Sequence, residues 1–195
     1  VHDPPKSVFA SYLIRFTPFI DKHFFAYFLT SPFYWNKVYE KSIGIAVANI
    51  NATKLKQIPI PIPPLNEQRR IVSKLESIFS RIDACRGELE RLASRTSSAS
   101  GSLAQLRTSV LKQAFEGRLV PQDPNDEPAE SLLRKMHKDT KVAVEQDDQP
   151  DGWLHVRVGE IYDIVGGGTP STKNEKYWQG NIPWISSADI HGLYD

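Results

Sequence analysis

The chain has 195 residues, 40% of them hydrophobic, enough for one or two domains with cores of their own. Its 24 Lys and Arg nearly balance 23 Asp and Glu, so a net charge of +1 does not by itself announce a polyanionic partner. Cys85 stands alone, which excludes an internal disulfide, and no run of about 18 apolar residues could cross a bilayer. A soluble, cytoplasmic protein without membrane contact is expected.

The charge is unevenly placed. Residues 1–66 and 67–118 each carry +4, residues 119–151 carry −5 and residues 152–195 carry −2. The basic front half can meet phosphate, whereas the acidic stretch reads as a solvated connector.

In chain order, VFASYLIRF (8–16) is β-branched and aromatic and predicts a strand. Asp21 then caps a short helix in which Phe24, Phe25, Phe28 and Leu29 recur at helical spacing. A second short helix follows Ser31-Pro32 and carries Tyr34, Trp35, Val38 and Tyr39. SIGIAVANIN is a loop, TKLKQ a helical turn, and IPIPIPP (58–64) an edge strand or extended exit segment, because four prolines cannot donate to a central ladder.

A long helix begins after Pro63-Pro64, capped by Asn66. Ile71, Leu75, Ile78, Ile82, Cys85, Leu89 and Leu92 follow one another in alternating steps of four and three, the seam of a left-handed coiled coil. The same register continues to Thr96, Ala99, Leu103, Leu106 and Val110. SRTSSASGS (94–102) holds the phase with poor helix formers. One helix of about 45–50 residues, on the order of 70 Å long, is expected; two helices hinged near Gly101 are the alternative. Cys85 reads as a small buried hydrophobe of that seam. Gly117 ends the helix, a short helix follows from Pro128 to His137, and 138–151 is an acidic linker. Beyond it LHVRVGEIYDIV suggests strand or helix–strand material, GGGTPS a loop and NIPWIS a short strand.

Catalytic chemistry finds no carriers. Gly166-Gly167-Gly168-Thr169-Pro170 lacks the Gly-Lys-Ser/Thr ending of a phosphate-binding P-loop, and Pro170 removes an amide that an anion nest would use. Asp3-Pro4-Pro5 is followed by Lys6 where the motif of amino-methyltransferases needs an aromatic. The five histidines are scattered without metal-ligand spacing. No catalytic residue, cofactor or metal is assigned.

Three stretches, in this order, resemble the DNA-specificity subunits of type I restriction–modification systems: IPIPIPPLNEQRRIVSKLE (58–76), LRTSVLKQAFEGRLVPQDPNDEPAESLL (106–133) and GWLHVRVGEIYDIVGGGTPSTKNEKYWQGNIPWISSADI (152–190). In that family two target-recognition domains flank a conserved helical spacer. The resemblance implies an α+β fold, with a long coiled-coil spacer helix flanked by parts of two α/β recognition domains. Residues 1–66 would be the closing part of one, 67–118 the spacer, 119–151 a turn, short helix and acidic linker, and 152–195 the opening part of a second. It implies a non-catalytic subunit that reads double-stranded DNA, directing a modification (methyltransferase) subunit and a restriction (translocase-nuclease) subunit. The spacer region 67–133, near Arg70, Arg81 and Arg91, is the expected contact with the modification subunit. The competing reading is a coiled-coil interaction scaffold without DNA readout.

Within that frame Lys37, Lys41, Lys54, Lys56, Lys173 and Lys176 are candidates for phosphate contacts, and Asn49, Asn51, Thr172, Asn174 and Ser186 for base contacts. Each lysine is otherwise a solvated surface charge, and Trp178 and Trp184 serve either core packing or base stacking. The chain opens at Val1 rather than at a methionine and stops at Asp195 in what reads as mid-domain, so a trimmed or excised piece is expected. The spacer helix should hold the first and last pieces tens of ångströms apart. Self-association through that helix, as an antiparallel dimer, would then bring the tail of one copy beside the head of another.

Overall fold

The structure, a computed structural model, describes residues 6–42, 51–92, 97–136 and 150–189. The loop 43–50, with Asn49, and the acidic linker 137–149 lie outside the described residues, as do the side chains of Lys41, Leu89, Arg91, Leu92 and Ala99 and the whole of Thr96.

The run expected as one strand is two: β1 (Val8–Phe9) and β2 (Ile14–Pro18). Between them Leu13 N–H donates to Ala10 C=O at 2.9 Å, closing a β-turn with Ser11 and Tyr12 at its centre. Asp21 caps α1 (Lys22–Thr30), its Oδ1 accepting from His23 N at 2.9 Å and Phe24 N at 3.0 Å. The Ser31 hydroxyl takes the same role for α2 (Pro32–Ser42), accepting from Tyr34 N at 3.2 Å. Asn51 caps α3 (Ala52–Leu55), accepting from Lys54 N at 2.9 Å.

β3 (Pro59–Ile62) is the proline-rich segment, and it pairs antiparallel with β4 (Leu154–Arg157), Ile60 opposite Val156 and Ile62 opposite Leu154. Val158 N–H donates to Ile58 C=O at 2.9 Å, so the isoleucines occupy the hydrogen-bonded positions of the ladder. The prolines fall between them, facing the unpaired edge, where a missing N–H costs nothing. Ile58, Ile60 and Ile62 are all fully buried.

The spacer is not one helix. α4 (Leu65–Leu92) and α5 (Ser97–Phe115) pack against each other. Arg107 on α5 pairs with Asp83 on α4 at 2.8 Å, and Gln122, just past α5, donates to Glu67 near the start of α4 at 2.7 Å. Partners on α4 recede as α5 advances, so the two helices form an antiparallel hairpin. α4 is described to Leu92 and α5 from Ser97, so Gly101, the expected hinge, sits inside α5. The helical start also differs, by two positions: Gln68 N–H donates to Pro64 C=O at 2.9 Å, and Asn66 is an exposed first-turn residue rather than the cap.

The apolar phase counted from the sequence holds over only part of the two helices. Ile71, Leu75 and Ile82 are buried and Ile78 is partly so, as the seam requires, with Val72 and Phe79 buried beside them. Cys85 is exposed, because the seam has turned away from the core by that point. On α5, Leu103 is partly buried and Val110 fully, but Leu106 is 47% exposed. The buried face there continues instead through Leu111, Ala114 and Phe115.

α5 ends in a Schellman motif: Arg118 N–H reaches Gln113 C=O at 2.9 Å and Gly117 adopts φ +69°. A Cβ on Gly117 would stand 2.2 Å from Pro150 Cγ. Gly117→Ala is therefore expected to destabilise the protein by about 1–2 kcal/mol from backbone conformation alone, plus the steric term, read from the shift in denaturant midpoint. α6 (Ala129–Met136) follows.

The hairpin returns the chain to its own beginning. β4 leads into α7 (Val158–Ile161) and β5 (Tyr162–Gly166), which runs antiparallel to β2 with Phe16 opposite Ile164. β6 (Trp184–Ile185) lies parallel to β1. The first and last pieces thus pair with each other inside one chain, contrary to the separation that a single straight helix would impose. The expectation that the two end pieces could meet only between copies, in an antiparallel dimer, is thereby corrected. α1 is the centre of the shared core: Phe24 and Phe28 meet Phe115 at ring distances of 5.1 and 5.6 Å, while Phe25 turns to Tyr162 at 4.1 Å.

Candidate nucleic-acid interface

Where β1–β6 meets the entrance of β2–β5, three loops are stitched together by backbone. Gly167 N–H donates to Leu13 C=O at 2.9 Å, Gly168 N–H to Phe9 C=O at 3.0 Å, and Ala10 N–H to Ile185 C=O at 2.8 Å. The Ser11 and Thr169 hydroxyls lie 3.2 Å apart within hydrogen-bonding distance. Two amides of the glycine run are therefore spent on the β-turn, so the loop does not form a phosphate cradle of the P-loop kind.

The loop 171–178 leaves this junction into solvent. Thr172, Lys173 and Lys176 are exposed. Asn174 Oδ1 accepts from Lys176 N at 3.3 Å and caps a single 3₁₀ turn, Glu175–Tyr177. Trp178 closes the loop: its indole N–H donates to Ser171 C=O at 3.3 Å and its ring packs edge-on to Trp184 at 5.4 Å. Trp178 is exposed and Trp184 half-buried, so this pair braces a surface loop rather than the core. Ser186 is tied to Asp189, its hydroxyl donating to the carboxylate at 2.7 Å.

Thr172, Lys173, Asn174 and Lys176 thus share the exposed loop that follows the glycine run, and Ser186 follows Ile185, whose carbonyl accepts from Ala10 N–H. The other sequence candidates stand elsewhere. Lys37 on α2 is paired with Glu40 at 3.0 Å. Asn51 and Lys54 belong to α3, and Lys56 follows it, its carbonyl accepting from Gly159 N at 2.9 Å. Exposed residues not singled out from the sequence lie on the same paired segments: Tyr12 at the turn, Arg15 with its guanidinium 5.6 Å from the Phe9 ring, and Tyr177 in the loop 171–178. The Ala-Ser pair inside VFASYLIRF was the signal for that turn.

Behind the surface sits a buried polar joint at the start of α4. Glu67 accepts from Trp153 Nε1 at 2.9 Å and from Gln122 Nε2 at 2.7 Å. Burial raises the Glu67 carboxyl above the usual carboxylate range, against the opposing pull of those two donors and of Arg70. Gln68 accepts from Asp21 N at 3.0 Å and donates to Pro63 C=O at 2.9 Å. Arg70 is not a free outer-face cation but is held by Asp126 at 2.6 Å. These neighbouring residues tie the hairpin to α1, to the exit strand and to the returning chain.

Residues 3–94, just under half of the chain, match the type I restriction modification DNA specificity domain. The specificity subunit of the type I restriction enzyme EcoKI from Escherichia coli strain K12 is 32% identical over 114 residues, covering 58% of this chain and 23% of that protein. That of EcoAI from Escherichia coli is 27% identical over 188 residues, covering 69% of this chain and 32% of that protein. Over these stretches the chain is similar to the specificity subunits of type I restriction enzymes. The specificity subunit of MjaIX from Methanocaldococcus jannaschii shares 44% identity over 41 residues, 21% of this chain and 10% of that protein. The chain spans between about a quarter and a third of the length of the EcoKI and EcoAI specificity subunits. No solved structure matches it. The specificity-domain match runs from ahead of β1 to the end of α4, so it contains the β-turn, the proline-rich strand and the Glu67–Gln68 joint. The EcoAI alignment covers more of the chain than that match and so reaches past it.

Proposed function

We propose that this chain contributes sequence-specific recognition of double-stranded DNA as part of a type I specificity subunit. In that role it directs methylation and restriction carried out by a modification (methyltransferase) subunit and a restriction (translocase-nuclease) subunit, and it works in the cytoplasm without a catalytic centre of its own. The observation that carries this reading is the specificity-domain match over residues 3–94. It is supported by two exposed segments joined through the glycine run: the Ala10–Leu13 turn with Tyr12, and the loop 171–178 with Lys173, Lys176, Tyr177 and Trp178. Cations position a protein on phosphate, and polar or aromatic side chains read base edges.

Residues 1–66 and 152–195 correspond in this reading to parts of two recognition domains, and the α4–α5 hairpin with α6 to the docking region for the modification subunit. Among the described residues no helix is long and apolar enough to cross a membrane, in keeping with a role on DNA.

The test is duplex binding by fluorescence anisotropy across a salt series. Affinity should fall steeply with salt, and a Lys173→Ala, Lys176→Ala variant should lessen the log–log slope by about 1.8, roughly 0.9 for each phosphate no longer neutralised. A protein indifferent to duplex DNA at low salt would favour the interaction scaffold instead.

A further inference from the structure

The geometry points to Tyr12 as a specificity-determining contact to the DNA base edges, held in place by Gly167 and Thr169 acting as positioning residues; this rests on the DNA-recognition role proposed above. Tyr12 is 85% exposed, and among the described residues its ring and hydroxyl engage nothing. An exposed tyrosine on a mobile loop would be unremarked, since scattered surface aromatics are ordinary. Tyr12 instead sits at the third position of a β-turn whose backbone is fixed from both sides. Its own closing bond joins Leu13 to Ala10, and the glycine run holds Phe9 and Leu13 from one side while Ile185 holds Ala10 from the other. The Ser11–Thr169 pair pins the remaining residue of the turn.

Gly167 explains why that loop is built of glycine. A Cβ there would lie 2.1 Å from Ala10 C=O and 2.5 Å from Phe9 C=O, so only glycine lets the two backbones touch. The Arg15 guanidinium lies 5.6 Å from the Phe9 ring centre. The result is a ring with a donor–acceptor hydroxyl, carried into solvent on a fixed backbone, with exposed Arg15 on the strand that follows and exposed Lys173 and Lys176 on the loop beyond the glycine run. Pre-ordering the turn removes the backbone entropy that a mobile loop would lose on binding. Duplex DNA fits this display: cations for phosphates, an apolar ring for a thymine methyl or sugar, and a hydroxyl for a base edge.

The experiment is selection from a randomised duplex pool by the 195-residue chain, followed by affinity for the enriched duplex against a scrambled one. Wild type should enrich a defined sequence. Tyr12→Ala should cut the enriched-to-scrambled ratio by about tenfold, the scale on which a single base-edge interaction discriminates, with unchanged thermal midpoint and unchanged salt slope on the scrambled duplex. Thr169→Val, which keeps the ring but cuts its tether, should lower the same ratio; Gly167→Ala should do so where it folds. A wild type that enriches no sequence refutes the DNA-reading role itself. A selective wild type matched in sequence and ratio by Tyr12→Ala overturns this proposal alone, and assigns the turn to a protein partner.

Discussion

Phe115→Ala is expected to lower the thermal midpoint by on the order of 10 °C. Truncating a buried phenylalanine costs about 3–5 kcal/mol, and each kcal/mol moves a chain of this size by roughly 2–4 °C. Phe115 closes α5 and is the ring on which Phe24 and Phe28 of α1 both rest. Its loss should loosen the return limb of the hairpin, and with it the strands that the returning chain completes. Leu106→Ala, on the same helix but 47% exposed, should cost far less than Phe115→Ala, about 1 kcal/mol or below. Calorimetry on the two variants separates the hairpin from an uninterrupted seam, which would require the opposite ranking.

Glu67→Ala is expected to cost on the order of 2 kcal/mol or more, because the buried Trp153 indole N–H and the Gln122 amide lose their acceptor together. Glu67→Gln keeps an acceptor for Trp153 and should be far milder, but it should change the pH dependence. Burial raises the folded pKa of Glu67, so the native protein holds this proton to higher pH than the unfolded chain does. The associated stability is complete below the unfolded carboxylate value, about 4.3, and is lost as pH rises through the raised folded value. Between about pH 4 and about pH 7 wild type should therefore lose stability relative to Glu67→Gln. Denaturant titrations at the two ends of that range measure the difference; parallel curves would remove Glu67 as the titrating group.

What could be read from residues alone follows how local each cause is. Asp21 and the Gly117 terminus were legible because caps are decided within one turn of helix. Ile71, Leu75 and Ile82 were legible because α4 is continuous beneath them. Extending their count to Leu106 failed for a physical reason: a heptad phase survives only along one helix, and α5 packs back against α4 instead of continuing it. Cys85 shows the other limit, since spacing identifies a helical face but not where the material covering it ends.

The site was legible as loose parts. Thr172, Lys173, Asn174 and Lys176 could be named from a polar loop beyond a glycine run, but not the turn they accompany. That turn belongs to the other end of the chain, and only the pairing of β2 with β5 joins the two. Glu67 and Gln68 escaped notice because their meaning lies in partners at Trp153, Gln122, Asp21 and Pro63. Asn66, one residue before them, had the right chemistry for a cap but stands one position inside the helix.

The pairing of Ile14 with Gly166 has a consequence for how the molecule comes into being. During synthesis β2 leaves the ribosome about 150 residues before its partner, a wait of roughly 8–30 s at about 5–20 residues per second. The α4–α5 hairpin, made of near neighbours, can form meanwhile, but the edges of β1, β2 and β3 stay open until β4, β5 and β6 arrive. Such long-range closure makes for slow folding and a long exposure of unpaired strands to other chains. The prolines of β3 leave that segment with few donors to offer a stranger while it waits.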